Sequence, residues 1–149
     1  MWSVDNPLIS QRGAAGIDGI SSTALGVSLS CQLPTAVITG DIAFLYDINA
    51  LLSARLITKP LIIFVINNGG GNIFSSLPIK EAAPDSMDWF ITPQQVSIEH
   101  LARSYGLNYS KIVNSNQLWD NDWAEKVKEL LKIHTCLLYT SPSPRDPSI

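Results

Sequence analysis

Two stretches decide the fold: Thr35-Ala36-Val37-Ile38-Thr39-Gly40-Asp41 and Leu61-Ile62-Ile63-Phe64-Val65-Ile66-Asn67-Asn68-Gly69-Gly70-Gly71. Each is a short apolar, β-branched run closed by glycine and small polar residues, the pattern of a strand buried on both faces. Between them Leu45, Ile48, Leu51, Leu52 and Leu56 recur at helical spacing until Lys59-Pro60 ends the segment. The three pieces make one strand-helix-strand unit. A right-handed crossover then places both strand ends at the same edge of a parallel sheet.

The alternation continues outward. Residues 16–31 mix Ile17, Ile20, Ala24, Leu25, Val27 and Leu29 with small residues and predict a buried helix, broken by Pro34. Residues 97–105 and 118–132 read as further helices, with Trp119, Trp123, Val127, Leu130 and Leu131 on roughly one face of the second. A strand is expected at residues 109–113. The fold class is therefore α/β, a parallel sheet with helices on both faces. Residues 75–93, with three prolines and Asp85-Ser86-Met87-Asp88, predict a long loop that serves as a mobile lid or a partner contact.

A chain of 149 residues has the size of one domain. Apolar residues at 46% are too many for disorder, and charged residues at 15% are few for an isolated monomer, so some surface is expected to meet a partner. The net charge of −3 gives no basic face for nucleic acid. The most apolar run, residues 61–66, is far shorter than the roughly 20 residues a bilayer span needs. No signal peptide is visible at the N-terminus, and a cytoplasmic location is expected. Cys31 and Cys136 form neither a disulfide framework nor a paired metal motif, and Cys31 reads as a small core residue. Residues 1–135 are expected to form the domain. From Cys136 the sequence Cys-Leu-Leu-Tyr-Thr-Ser-Pro-Ser-Pro-Arg-Asp resembles a translated sequencing adapter, so residues 136–149 are expected to be a disordered tail outside the domain.

Ligands of parallel sheets gather beyond the carboxyl ends of the strands, where this chain carries Gly40-Asp41 and Asn67-Asn68. A carboxylate, an amide oxygen and a backbone carbonyl from the glycine run form a hard oxygen set. Magnesium takes few protein oxygens of this kind and completes its shell with phosphate and water. Taken singly, Asp41 also fits a helix cap and Asn67-Asn68-Gly69 a plain turn. His100 reads as a histidine on a helix surface.

The pairing of Gly40-Asp41 with Asn67-Asn68 across one strand-helix-strand unit resembles the thiamine-diphosphate motif. Ile42 replaces the third glycine usual in it. Gly40-Asp41-Ile42-Ala43-Phe44-Leu45, Asn67-Asn68-Gly69-Gly70-Gly71-Asn72-Ile73-Phe74-Ser75-Ser76-Leu77-Pro78 and Arg12-Gly13-Ala14-Ala15-Gly16-Ile17-Asp18-Gly19 are together similar to one branch, the 2-succinyl-5-enolpyruvyl-6-hydroxy-3-cyclohexene-1-carboxylate synthases of menaquinone biosynthesis. The resemblance covers residues 11–135 and implies a diphosphate-binding domain that uses thiamine diphosphate and Mg2+ or Mn2+. Asp41, Asn68 and the Gly70 carbonyl would ligate the metal. Ile17, Gly40, Ile42 and Ile73 would contact the cofactor. Arg12 would face an anionic substrate, and Ile73, Phe74 and Leu77 would line the pocket.

The implied reaction decarboxylates 2-oxoglutarate and adds the succinyl semialdehyde unit to isochorismate. The implied assembly is a homo-oligomer, a dimer or tetramer of the full-length chain. The activating glutamate belongs to a separate N-terminal domain, so the 149-residue chain alone is expected to turn over no substrate. A different thiamine-dependent decarboxylase or acetolactate-type synthase, and a phosphate-binding α/β module without chemistry, are the alternatives.

Overall fold

The computed structural model describes residues 7–11, 16–112 and 136–142. Its order of elements is α1 (Ile20–Cys31), β1 (Thr35–Gly40), α2 (Asp41–Tyr46), a 3-10 helix (Ile48–Leu56), β2 (Leu61–Asn67), a 3-10 turn (Asn72–Ser76), α3 (Ile79–Ala82), a 3-10 turn (Pro84–Ser86), α4 (Met87–Ile91), α5 (Ile98–Ser104), β3 (Asn108–Lys111) and β4 (Cys136–Pro142). The four strands form one parallel sheet in the order β1-β2-β4-β3. The α/β class read from the sequence is the class observed.

The core lies on the face of the sheet carrying the odd-numbered side chains of β2. Leu61, Ile63 and Val65 are buried there against Leu25 of α1, Phe44 of α2, Leu51 and Ala54 of the 3-10 helix, and Ile98 and Ala102 of α5. Phe44 is completely enclosed, at 0% exposure. The helix expected at residues 118–132 lies outside the described residues, as does Val113 of the expected strand at 109–113.

Four expectations are corrected. First, among the described residues β1 is a sheet edge, and Ile38 on its outer face is 65% exposed; a β-branched run reveals strand propensity but not how many neighbours the strand has. Second, the helix expected after Asp41 breaks at Asp47 into a short α-helix and a nine-residue 3-10 helix. Its inward residues Ile48, Leu51, Ala54 and Ile57 are spaced by three, so a three-residue turn lines them up where a 3.6-residue turn would not. Third, residues 75–93 hold short helical turns instead of an irregular loop. Fourth, disorder from Cys136 does not hold for residues 136–142, which form β4 between β2 and β3. Leu137-Leu138-Tyr139-Thr140 favours strand, and β2 offers a free parallel edge. An adapter-like reading frame and a strand are compatible, because strand pairing asks only for suitable residues and an open edge.

Helix α1 is not buried all round. Ser21, Ala24, Leu25 and Ser28 face inward, while Cys31, at its last turn, is exposed and not a core residue. Small residues on the inner stripe let α1 approach the sheet closely, at the cost of two hydroxyls, Ser21 Oγ and Ser28 Oγ, buried without a partner. The N-terminal turn of α1 is tied to the end of α2: Ser22 donates through its backbone N–H and its hydroxyl to the two carboxylate oxygens of Asp47, both at 2.7 Å.

Candidate functional site

The register Gly40↔Ile66 brings the ends of β1 and β2 side by side, so that Asp41 and the Asn67-Asn68 pair leave the sheet at one edge. Asp41 is the first residue of α2, and the N-cap is Gly40, with no side-chain cap bond. The helix-cap explanation of Asp41 therefore fails. Its carboxylate is only 2% exposed and forms no ion pair among the described residues, where the one ion pair is the exposed Glu99–Arg103 contact. A buried carboxylate without a cation is costly, since water is lost and little replaces it.

The two asparagines divide their work. Asn67 makes the turn, its Oδ1 accepting the Gly69 N–H at 3.0 Å. Asn68 does not. Its side-chain oxygen faces two other oxygens, Asp41 Oδ1 at 3.3 Å and the Gly70 carbonyl at 2.5 Å. Turned by 180°, the amide would donate its NH2 to both. The turned form satisfies both acceptors without any ion, whereas the oxygen-inward form suits only a cation beside Asp41 Oδ1 and the Gly70 carbonyl. The Gly70 carbonyl also accepts the Asn72 N–H at 2.9 Å, which leaves its second lone pair free.

The glycine run owes its shape to a close approach. Gly70 has φ 139°, and a Cβ there would lie 2.6 Å from the Ile91 carbonyl oxygen. Gly71 N–H donates to that same oxygen at 2.6 Å. The end of α4 is thus seated on the glycine run, and the chain continues through Pro93 into Gln94. Gln94 Nε2 donates to Asp41 Oδ2 at 2.9 Å. Sequence reasoning missed Gln94, because no local pattern marks a residue that meets Asp41 only through the folded chain.

Among the other expected site residues, Ile42 is half-buried behind Asp41 and Gly40 is exposed at the strand end. Ile73 is 63% exposed, Leu77 and Ile17 are also exposed, and Phe74 is half-buried with its ring 5.7 Å from that of Phe90. The apolar trio Ile73, Phe74 and Leu77 is therefore not part of the core, and with Trp89 it leaves an uncovered apolar surface beside the glycine run. Arg12 lies outside the described residues. His100 is exposed on α5, as expected, and its backbone N–H is capped by Ser97 Oγ at 3.3 Å.

The sequence profile of the thiamine pyrophosphate enzymes, C-terminal TPP binding domain, matches residues 8–138. The chain belongs to this family. Its relatives include proteins named 2-succinyl-5-enolpyruvyl-6-hydroxy-3-cyclohexene-1-carboxylate synthase. That of Yersinia enterocolitica is 49% identical over 105 residues, covering 70% of this chain and 18% of the relative. One from Yersinia pestis is 42% identical over 132 residues, covering 89% and 21%. The chain thus spans about a fifth of the length of the curated relatives it matches. Among solved structures, the thiamine diphosphate-dependent 4-hydroxybenzoylformate decarboxylase of Rhodococcus jostii RHA1 superposes with a TM-score of 0.63 at 21% identity, over 80% of this chain and 22% of that one. That likeness concerns the fold.

Proposed function

We propose that this domain anchors the diphosphate of thiamine diphosphate through one Mg2+ or Mn2+ held by Asp41, Asn68 and the Gly70 carbonyl. We further propose that the complete enzyme, in the cytoplasm, decarboxylates 2-oxoglutarate and transfers the succinyl semialdehyde unit to isochorismate. The observation that carries the first part is the buried Asp41 carboxylate, which forms no ion pair among the described residues and whose Oδ1 stands 3.3 Å from the Asn68 side-chain amide. The second part rests on the 42–49% identity to relatives that bear the synthase name.

Thiamine diphosphate, when bound, supplies the electron sink for decarboxylation. The chain's own residues do the holding. Asp41 contributes the single negative charge, Asn68 a neutral oxygen, and Gly70 a carbonyl that only a residue without a side chain can present so close to Ile91. Gly40 and Ile42 flank Asp41 at the cofactor, and Ile17 and Ile73 offer apolar contact to its ring end. Phe74 and Leu77 extend that surface toward the substrate, and Arg12 pairs with a substrate carboxylate. In the complete enzyme, a homodimer or homotetramer, the glutamate that activates the cofactor comes from another domain across a subunit interface.

Calorimetric titration of the chain with thiamine diphosphate, with and without Mg2+, tests the site. Mg2+ should tighten thiamine diphosphate binding by at least about tenfold, and reciprocally, within the usual range of coupling. Equal affinities in the two titrations would leave only a phosphate-binding module. Product analysis on the full-length enzyme, with pyruvate offered against 2-oxoglutarate, separates the synthase from an acetolactate-type enzyme.

A further inference from the structure

We infer that Gln94 is a positioning residue that fixes the cation preference of the site by limiting Asp41 to one free carboxylate oxygen; this rests on the ion-diphosphate reading above. Gln94 lies 53 positions from Asp41 in sequence yet reaches it directly. Its side-chain orientation is set from both ends. Oε1 accepts the Val96 backbone N–H at 2.7 Å, so the NH2 group is the end turned inward. That group donates to Asp41 Oδ2 at 2.9 Å and approaches Asn67 Oδ1 at 3.4 Å, and the Gln94 backbone N–H donates to the Gly69 carbonyl at 3.3 Å. Gln94 thus ties together the ends of both strands and the glycine run.

The effect falls on the carboxylate. With Oδ2 committed to Gln94, Oδ1 is the oxygen that faces the Asn68 side chain, 3.3 Å away. Asp41 is buried, so turning both oxygens toward one ion means breaking the Gln94 bond with no water to replace it. A one-oxygen carboxylate in a small set suits Mg2+, which binds at about 2.0–2.1 Å in octahedral geometry. Ca2+, at about 2.3–2.6 Å with six to eight oxygens, gains from a two-oxygen carboxylate. Gln94 withholds that second oxygen.

The test is the ratio of Mg2+ to Ca2+ affinity, each measured on the chain saturated with thiamine diphosphate, for the wild type, Gln94→Met and Gln94→Glu. Methionine keeps the length without the donor, and glutamate replaces the donor by an acceptor. Because both cations are titrated into the same sample, the ratio is independent of the fraction folded. Both variants should lower the Mg2+:Ca2+ ratio by about tenfold, the factor expected for losing one hydrogen bond to a charged group. A wild-type ratio in both variants overturns the role of Gln94. If neither cation affects thiamine diphosphate binding to the wild type, the ion reading itself fails and the inference falls with it, a result distinct from an unchanged ratio.

Discussion

Replacing Asp41 by asparagine should move ligand binding and stability in opposite directions. The substitution keeps the shape of a side chain that is 2% exposed and keeps an oxygen for Gln94, while removing the one formal charge in the oxygen set. With the ion present, losing one partner of a buried charge pair costs about 3–5 kcal/mol. Each 1.4 kcal/mol is about tenfold in affinity, so Mg2+-dependent binding of thiamine diphosphate should weaken by at least about a hundredfold. Without ion, the sign reverses. Asp41 then is a buried carboxylate with no ion pair among the described residues, and a neutral amide removes the cost of burying that charge; a gain of about 1 kcal/mol is expected. For a chain of this size that raises the melting temperature by about 2–4 °C in chelator. Calorimetry gives the first quantity and thermal unfolding in EDTA the second. A variant that binds as the wild type does, or one that melts lower in EDTA, would refute a cation site at Asp41.

Two further substitutions address the frame of the site. Phe44→Ala empties a fully enclosed position three residues after Asp41 in α2 and should cost about 3–5 kcal/mol in denaturant unfolding. Gly70→Ala puts a Cβ 2.6 Å from the Ile91 carbonyl at a φ of 139° and should cost about 1–3 kcal/mol. It should also release the end of α4, seen as faster amide exchange at Gly71, whose N–H is bonded to Ile91.

Much of the candidate site was legible because its chemistry sits at the two ends of one local unit. Thr35–Gly40 and Leu61–Asn67 are strands, and the residues that follow them meet at one edge. The division of labour between Asn67 and Asn68 was not legible: the same residue type serves a turn in one position and faces the carboxylate in the next, and only the backbone direction distinguishes them. Gln94 was hidden for a related reason, since its partner is reached through four short helical turns that carry no periodic signal. The 3-10 helix at Ile48–Leu56 was misread because Ile48 and Leu51 fit a three-residue and a 3.6-residue repeat almost equally over so short a span. Burial of β1 was overestimated because the sequence of a strand does not encode its rank in the sheet.

The strand order β1-β2-β4-β3 has a consequence for biosynthesis. β3 joins the sheet only through β4, and β4 is made last of the four. At translation rates of roughly 5–20 residues per second, the β1-β2 pair leaves the ribosome several seconds before its inner neighbour exists. During that interval the edge of β2, with its Leu-Ile-Ile-Phe-Val-Ile run, stands open while β3 has nothing to bind. An open edge of this kind is a template for pairing with another polypeptide until it is covered.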